Sequence, residues 1–339
     1  MFQTHYMRIF LSAIILSLFI SCNNNTPNIS GITVNLPVER FDKLLYAIDT
    51  NNVGEGLKKV YSAHPAFTNA FIRQVLQLNQ PYSDTSRLLQ EAIRSFIIHT
   101  QELKDSVWQK FDNNTTWTKN VEEGLRYVKY YFPEYKLPAL ITFIGDLTGR
   151  EVMTQEGLGI GMDYYMGKDF SYYLIPEVQS QIPAYLSRRF SLQYLPVNCM
   201  QAIVEDLFPD TSLSRPLIEQ MVEKGKRFYV LNKFLPNTND TLKFQYTKDQ
   251  LDWCYKNEKD IWKFFLEGDL LYSIDPATSN FISEGPNTQG MPVESPGNIG
   301  LFVGWRIVQQ YIKKYPGVTI RQLMKTPSKE IFNEAKYKP

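Results

Sequence analysis

Histidine is scarce. The 339-residue chain carries only three: His5, His64 and His99. The first falls in an N-terminal leader described below. The other two lack HxxxH spacing and no HExxH run surrounds either, so the inventory excludes a two-histidine zinc site of the metalloprotease type. No GxSxG elbow, P-loop or GxGxxG after a strand occurs, and a Ser–His hydrolase would have to recruit His64 or His99. An excess of charge of one sign is also missing. Lys and Arg total 36 against 35 Asp and Glu, which argues for neither a nucleic-acid partner nor an acidic disordered tail. Cysteine is limited to Cys22, Cys199 and Cys254. The last two lack CxxC spacing and read as buried free thiols, with a disulfide as the alternative in an exported protein. Nothing in this inventory calls for a metal or a cofactor.

Aromatic residues, by contrast, are plentiful, with 21 Tyr, 21 Phe and 5 Trp. They suit a large core with aromatics at its rim, or a carbohydrate-binding face. The N-terminus is equally distinctive. Ile9 to Ile20 is apolar except for Ser12 and Ser17, and Arg8 precedes it. That run falls short of the roughly 20 apolar residues of a membrane span and suits the core of a signal peptide. Leu18-Phe19-Ile20-Ser21-Cys22 is close to the pattern cut by a lipoprotein signal peptidase, with bulky Phe19 departing where Leu is usual. Residues 1–21 are therefore expected to leave, Cys22 to be acylated, 22–30 to form a flexible tether and 31–339 a single body. At about 0.8 kcal/mol per buried CH₂, several acyl chains hold such a body on a membrane. An ordinary secreted protein or an uncleaved anchor is the plainer alternative.

Along the body, alternation from Ile29 to Arg40 predicts a short edge strand, and Phe41, Leu44, Leu45 and Ile48 follow at helical spacing. Ser83, Asp84 and Thr85 offer caps for one long helix whose apolar face includes Phe96, His99 and Leu103, with His99 expected as a packed core residue. Val121, Leu125, Val128 and Phe132 mark a helix ended by Pro133. Leu140–Ile144 and Leu158–Tyr165 read as two strands of a small sheet, with Gly157, Gly159 and Gly161 as strand or bulge positions rather than a phosphate loop. Pro196 opens a helix with Cys199 and Ile203 on one side and Asn198, Gln201 and Glu205 on the other. Gly225 interrupts the next helical stripe, a place for close approach. Thr247 and Gln250 form a capping box for a helix over Leu251–Leu271. Phe281 to Asn298 lacks periodicity and reads as a long loop over a cleft or interface. A helix over Ile299–Tyr315 has Gly300 and Gly304 one turn apart, and a last one opens at Thr326-Pro327. Arg306 shares a polar face with Gln309 and Lys313 and reads as solvated, a buried functional arginine being the alternative. Glu205, Asp206 and Glu294 could pair as the acids of a glycosidase, although their spacing does not establish it.

Several short runs, in order, carry a resemblance: Val38-Glu39-Arg40-Phe41-Asp42, Tyr130-Tyr131-Phe132-Pro133, Gly161-Met162-Asp163-Tyr164-Tyr165-Met166-Gly167, Leu270-Leu271-Tyr272-Ser273 and Glu294-Ser295-Pro296-Gly297 leading to Gly304-Trp305. Together they resemble GldB, the gliding-motility-associated lipoprotein family of Bacteroidetes. The resemblance implies an α+β, predominantly helical body, a zincin-like fold without the metal-binding histidines. It also implies a non-catalytic accessory of gliding and of type IX secretion. Such a protein would be held on the outer membrane by its lipid, facing the periplasm, and would touch envelope proteins of that apparatus. Cys22 is the expected lipid site; Glu205, Glu294, Trp305 and Arg306 are the candidate cleft or partner-binding residues. A cell-envelope peptidase or glycosidase and a glycan-binding surface lipoprotein are the alternatives.

Overall fold

The structure, a computed structural model, describes residues 26–78, 86–113 and 116–339. Cys22 and the proposed caps Ser83, Asp84 and Thr85 lie outside them. Two compact units divide the chain at Gly31 and Ile32. Of the first, the described residues end in a turn in which the Ser30 N–H donates to Asn28 Oδ1 at 3.0 Å. The second unit spans Ile32–Pro339.

This unit is mainly helical with one small sheet. In chain order come β1 (Val38–Arg40), α1 (Phe41–Tyr46), α2 (Val53–Ala63), α3 (Pro65–Ala70, continued by a π-helical turn), α4 (Arg87–His99), α5 (Gln101–Phe111) and α6 (Thr118–Tyr131). Next are β2 (Ala139–Phe143), β3 (Glu151–Met153), β4 (Gly157–Gly161), α7 (Pro176–Gln181), α8 (Ala184–Ser187), α9 (Leu195–Leu207) and α10 (Leu217–Phe234). The chain closes with α11 (Asp240–Phe244), α12 (Lys248–Lys256), α13 (Glu258–Glu267), α14 (Ile299–Lys314), α15 (Ile320–Lys325) and α16 (Ser328–Ala335).

The sheet runs β1-β2-β4-β3. β1, β2 and β4 are parallel and β3 returns antiparallel beside β4. The edge strand is shorter than the alternation from Ile29 predicts: Pro37 has no N–H for the ladder, and pairing starts with Val38 opposite Leu140. All five residues of β4 are buried. A Cβ on Gly159 would sit 2.3 Å from Phe67 Cε2, so glycine here lets the α3 ring lie directly on the strand. Around it Phe41, Leu45, Phe71, Ile93, Ile141 and Phe143 form one core, with the Phe41 and Phe67 rings edge to face at 4.8 Å.

Two long helices expected from the sequence are each two. Thr100 separates α4 from α5: its hydroxyl is 2.6 Å from the Phe96 carbonyl and 2.6 Å from Tyr46 Oη. Asn257 separates α12 from α13, its amide donating to the Trp253 carbonyl at 2.8 Å. Each side chain shares its carbonyl with its own backbone N–H, at 3.0 Å for Thr100 and 2.9 Å for Asn257, and ψ moves to 16° and 21°, outside the helical range. His99, the last residue of α4, lies off that helix's buried stripe of Leu89, Ile93 and Ile97, and its side chain is 71 % exposed, against the expected core position. At the C-terminus, α15 has its own capping box from Thr319 and Gln322, and Thr326 closes it, leaving Pro327 to cap α16.

In the helical half, α10 and α14 meet backbone to backbone. A Cβ on Gly225 would lie 2.2 Å from the Gly304 carbonyl oxygen, and one on Gly304 1.7 Å from that of Met221. Cys199 and Cys254 are free and buried. No helix among the described residues is long and apolar enough to cross a membrane.

Candidate functional site

The close crossing of α10 and α14 leaves a cavity of about 220 Å³ where α9 runs beside α10 and the first turn of α14. Its floor is apolar, from Val204, Phe228, Leu231 and Leu301; its rim is polar, from Gln201, Glu205, Asp210, Lys224, Arg227 and Asn298. Arg227 Nη1 lies 3.0 Å from Asp210 Oδ2 and its Nε 3.5 Å from Glu205 Oε2. Burial alone would raise the Asp210 carboxyl, but bonds from Ser212 and the charge of Arg227 hold it below its ordinary value. Burial lowers the Lys224 ammonium, opposed by Asp210, Glu284 and Glu205. Asn298 closes the long loop in a left-handed conformation, φ +57°, and the Tyr246 hydroxyl holds its carbonyl at 2.8 Å.

A chain of buried hydrogen bonds supports the cavity from behind. Arg189, 5 % exposed, donates to Glu284 at 2.7 Å and to Gln245 Oε1. Gln245 Nε2 donates to Gln201 Oε1 at 3.1 Å and more weakly to Asn198 Oδ1. Asn198 Nδ2 donates to Tyr165 Oη at 2.9 Å, and that hydroxyl donates to Glu151. The chain thus joins β3, the end of β4, α9 and the long loop. Asn198, expected on an outer polar face, is buried among these partners.

A second polar centre lies at the carboxyl ends of the parallel strands, where two of the motifs that carry the resemblance meet. Asp42, following β1, accepts from Arg40, from Trp108 Nε1 at 2.8 Å and from Thr142 Oγ1 at 2.6 Å. Asp163, following β4, accepts from the N–H groups of Gly145 at 3.1 Å and Leu147 at 2.6 Å. Positive φ at Asp146, Leu147 and Gly149 folds the loop after β2 so that these N–H groups face it. Burial pushes the Asp163 carboxyl up to about 6 in spite of those two donors. Asp146 is bonded by the Tyr172 hydroxyl and lies 3.7 Å from His99 Nε2. Carboxyl ends of parallel strands are common ligand sites, yet here bonds within the protein occupy the acids. Among the described residues no group of three or more His, Cys, Asp or Glu is placed to hold a metal ion.

The four candidate body residues do not converge. Glu205 is on the rim of the α9–α10 cavity. Trp305 and Arg306 line a separate hollow of about 540 Å³ with Tyr229, Glu258 and Tyr337. Arg306 is not simply solvated: half-buried, it donates to Glu258 at 2.7 Å, as does the Tyr337 hydroxyl at 2.6 Å. Trp305 packs edge to face on Phe228, which also lines the floor of the cavity. Glu294 is exposed on the 282–298 loop, whose ends are pinned where Thr288 donates to Pro296 and Gly285 meets Gly297. Lys224, Arg227 and Asn298 were not singled out from sequence. The available signal was the basic run Lys224-Gly225-Lys226-Arg227 around a glycine.

Compared with known proteins, the chain matches the model of one family, described as gliding motility protein GldB, over residues 22–339. No curated protein and no solved structure matches it.

Proposed function

The chain belongs to the GldB gliding motility family, and from that premise we propose that it is a lipid-anchored, non-catalytic accessory of the gliding machinery and its linked secretion system. The observation that carries this reading is the extent of the family match, which starts at Cys22, the residue the leader marks for acylation, and runs to the last residue. The lipid holds the protein at the outer membrane. Residues Asn23 to Asn28 carry no acidic side chain, which favours the periplasmic face. Tethering raises the effective concentration of an envelope partner without any chemistry. The loop that displays Glu294 and the 74 % exposed Val293 is the proposed docking surface.

Two features support a non-catalytic role. Among the described residues neither His64 nor His99 hydrogen-bonds to a serine or cysteine; His64 instead lies 3.4 Å from Glu39. Burial raises both body thiols, so neither Cys199 nor Cys254 is an available thiolate. The test is colony spreading and cargo secretion in a strain lacking the gene, complemented with the wild type or with Cys22→Ala. Loss restored only by the wild type is expected. Unchanged spreading and secretion in the deletion strain would overturn the reading.

A further inference from the structure

Four buried side-chain polar atoms among the described residues have no hydrogen-bond partner, and two of them, Arg227 Nη1 and Asn298 Oδ1, belong to residues that line the α9–α10 cavity. One donates and the other accepts. Asp210 Oδ2 balances the guanidinium charge at 3.0 Å but is not aligned with an Nη1 proton. Lys224 adds a third open group, with no ion pair or hydrogen bond among the described residues. The carboxylates around it are engaged elsewhere: Glu284 by Arg189 at 2.7 Å, Asp210 by the Ser212 N–H and hydroxyl, Glu205 by the Asp210 N–H at 2.8 Å. Four cations, Arg188, Arg189, Lys224 and Arg227, therefore meet three carboxylates.

The open groups specify a ligand. Lys224 and Arg227 call for an anionic acceptor, Asn298 Oδ1 for an N–H, and Val204, Phe228, Leu231 and Leu301 for an apolar group between them. A phosphate or sulfate brings neither the N–H nor an apolar part, and a fatty acid brings no N–H. A free amino acid would set an ammonium beside two cations, whereas an acylated nitrogen keeps the donor without the charge. The volume of about 220 Å³ is below that of sites for drug-sized ligands and suits a single residue. We propose that this cavity binds the carboxyl end of a peptide chain, its terminal carboxylate on Lys224 and Arg227, its last amide N–H on Asn298 and an apolar last side chain on the floor. The site goes beyond the tethering role and does not depend on it, because motility is not its readout.

The test is calorimetric titration of the full chain, purified in detergent, with four probes: acetyl-Ala-Ala-Leu, its C-terminal amide, 4-methylpentanoate and leucine. The free-acid tripeptide is expected to bind, and the other three at least about tenfold more weakly, the amide for want of charge and 4-methylpentanoate for want of the N–H. Lys224→Gln should cost at least about tenfold with an unchanged thermal midpoint, since no internal ion pair is lost. Asn298→Gly, which keeps the positive φ, should weaken the tripeptide but not 4-methylpentanoate, and it serves if the lysine variant fails to fold. Acid and amide binding equally, leucine matching the tripeptide, or no tripeptide binding up to about 10 mM would each overturn the proposal.

Discussion

Asp163 is fully buried, and its two oxygens accept from two different backbone N–H groups. Its carboxyl titrates at about 6 in the folded chain, against about 3.9 when free. Between those values the folded state keeps a proton that the unfolded state has released, so this group's contribution to stability falls as pH rises through the window. Asp163→Asn should remove that slope and must turn an NH₂ toward one of the two N–H donors, a cost of about 1–3 kcal/mol. Urea unfolding of both proteins between about pH 4 and 7 should show the wild type losing ground to the variant as pH rises. A constant gap would count against the assignment. Neither Asp163 nor Asn198 announces its burial in the sequence. The left-handed loop after β2 and the αL residue Gln245 bring their partners to them, and such long-range donors leave no local pattern.

At the scale of elements, the crossing of α10 and α14 is the tightest contact described. Gly225→Ala and Gly304→Ala should each cost about 1–3 kcal/mol or more, because the added methyl meets backbone that cannot rotate away. Gly317→Ala, with nothing within 4 Å of its Cβ, is the control and should leave the urea midpoint unchanged. The C-terminal helices are fastened to the same pair by Lys226, 2 % exposed, which donates to Glu223 at 2.8 Å and to the Thr326 carbonyl at 3.0 Å. Ser328 Oγ also donates to Glu223, at 2.6 Å. Glu223→Ala strands a buried ammonium and should cost about 3–5 kcal/mol; Glu223→Gln keeps an acceptor and should cost less. Sequence pattern reveals these helices well where chemistry is local. The Thr247–Gln250 capping box and the close approach at Gly225 and Gly304 are as the residues suggest, and so is the glycine strand β4 as far as Gly161; Met162–Tyr165, expected to continue that strand, form a 3-10 helical turn instead. It misses the breaks at Thr100 and Asn257, where a side chain shares a carbonyl with its own backbone N–H and the backbone leaves helical geometry, and β3, whose three residues form a strand only because β4 is beside them.

For the whole molecule, the family and the mainly helical α+β class were legible because many short motifs keep their order along the chain. The cavity was not. Lys224 and Arg227 are a helical turn apart on α10 and look like any solvated face until α9 and the first turn of α14 cover them. One prediction concerns the protein as a whole: Cys22→Ala should move it from the membrane to the soluble fraction on cell fractionation, and persistent membrane association would rule out the lipid as its anchor. The edge strand has a mechanical consequence. A pull applied to the N-terminus enters the folded body at β1, three residues held by a parallel ladder to β2. Behind that ladder stands a clamp of Arg40 on Asp42 and Asp112, with Lys43 also on Asp112. β1 is therefore the fuse of the molecule: under load it should yield first and let out slack, while the Gly225–Gly304 crossing and the cavity beside it stay folded.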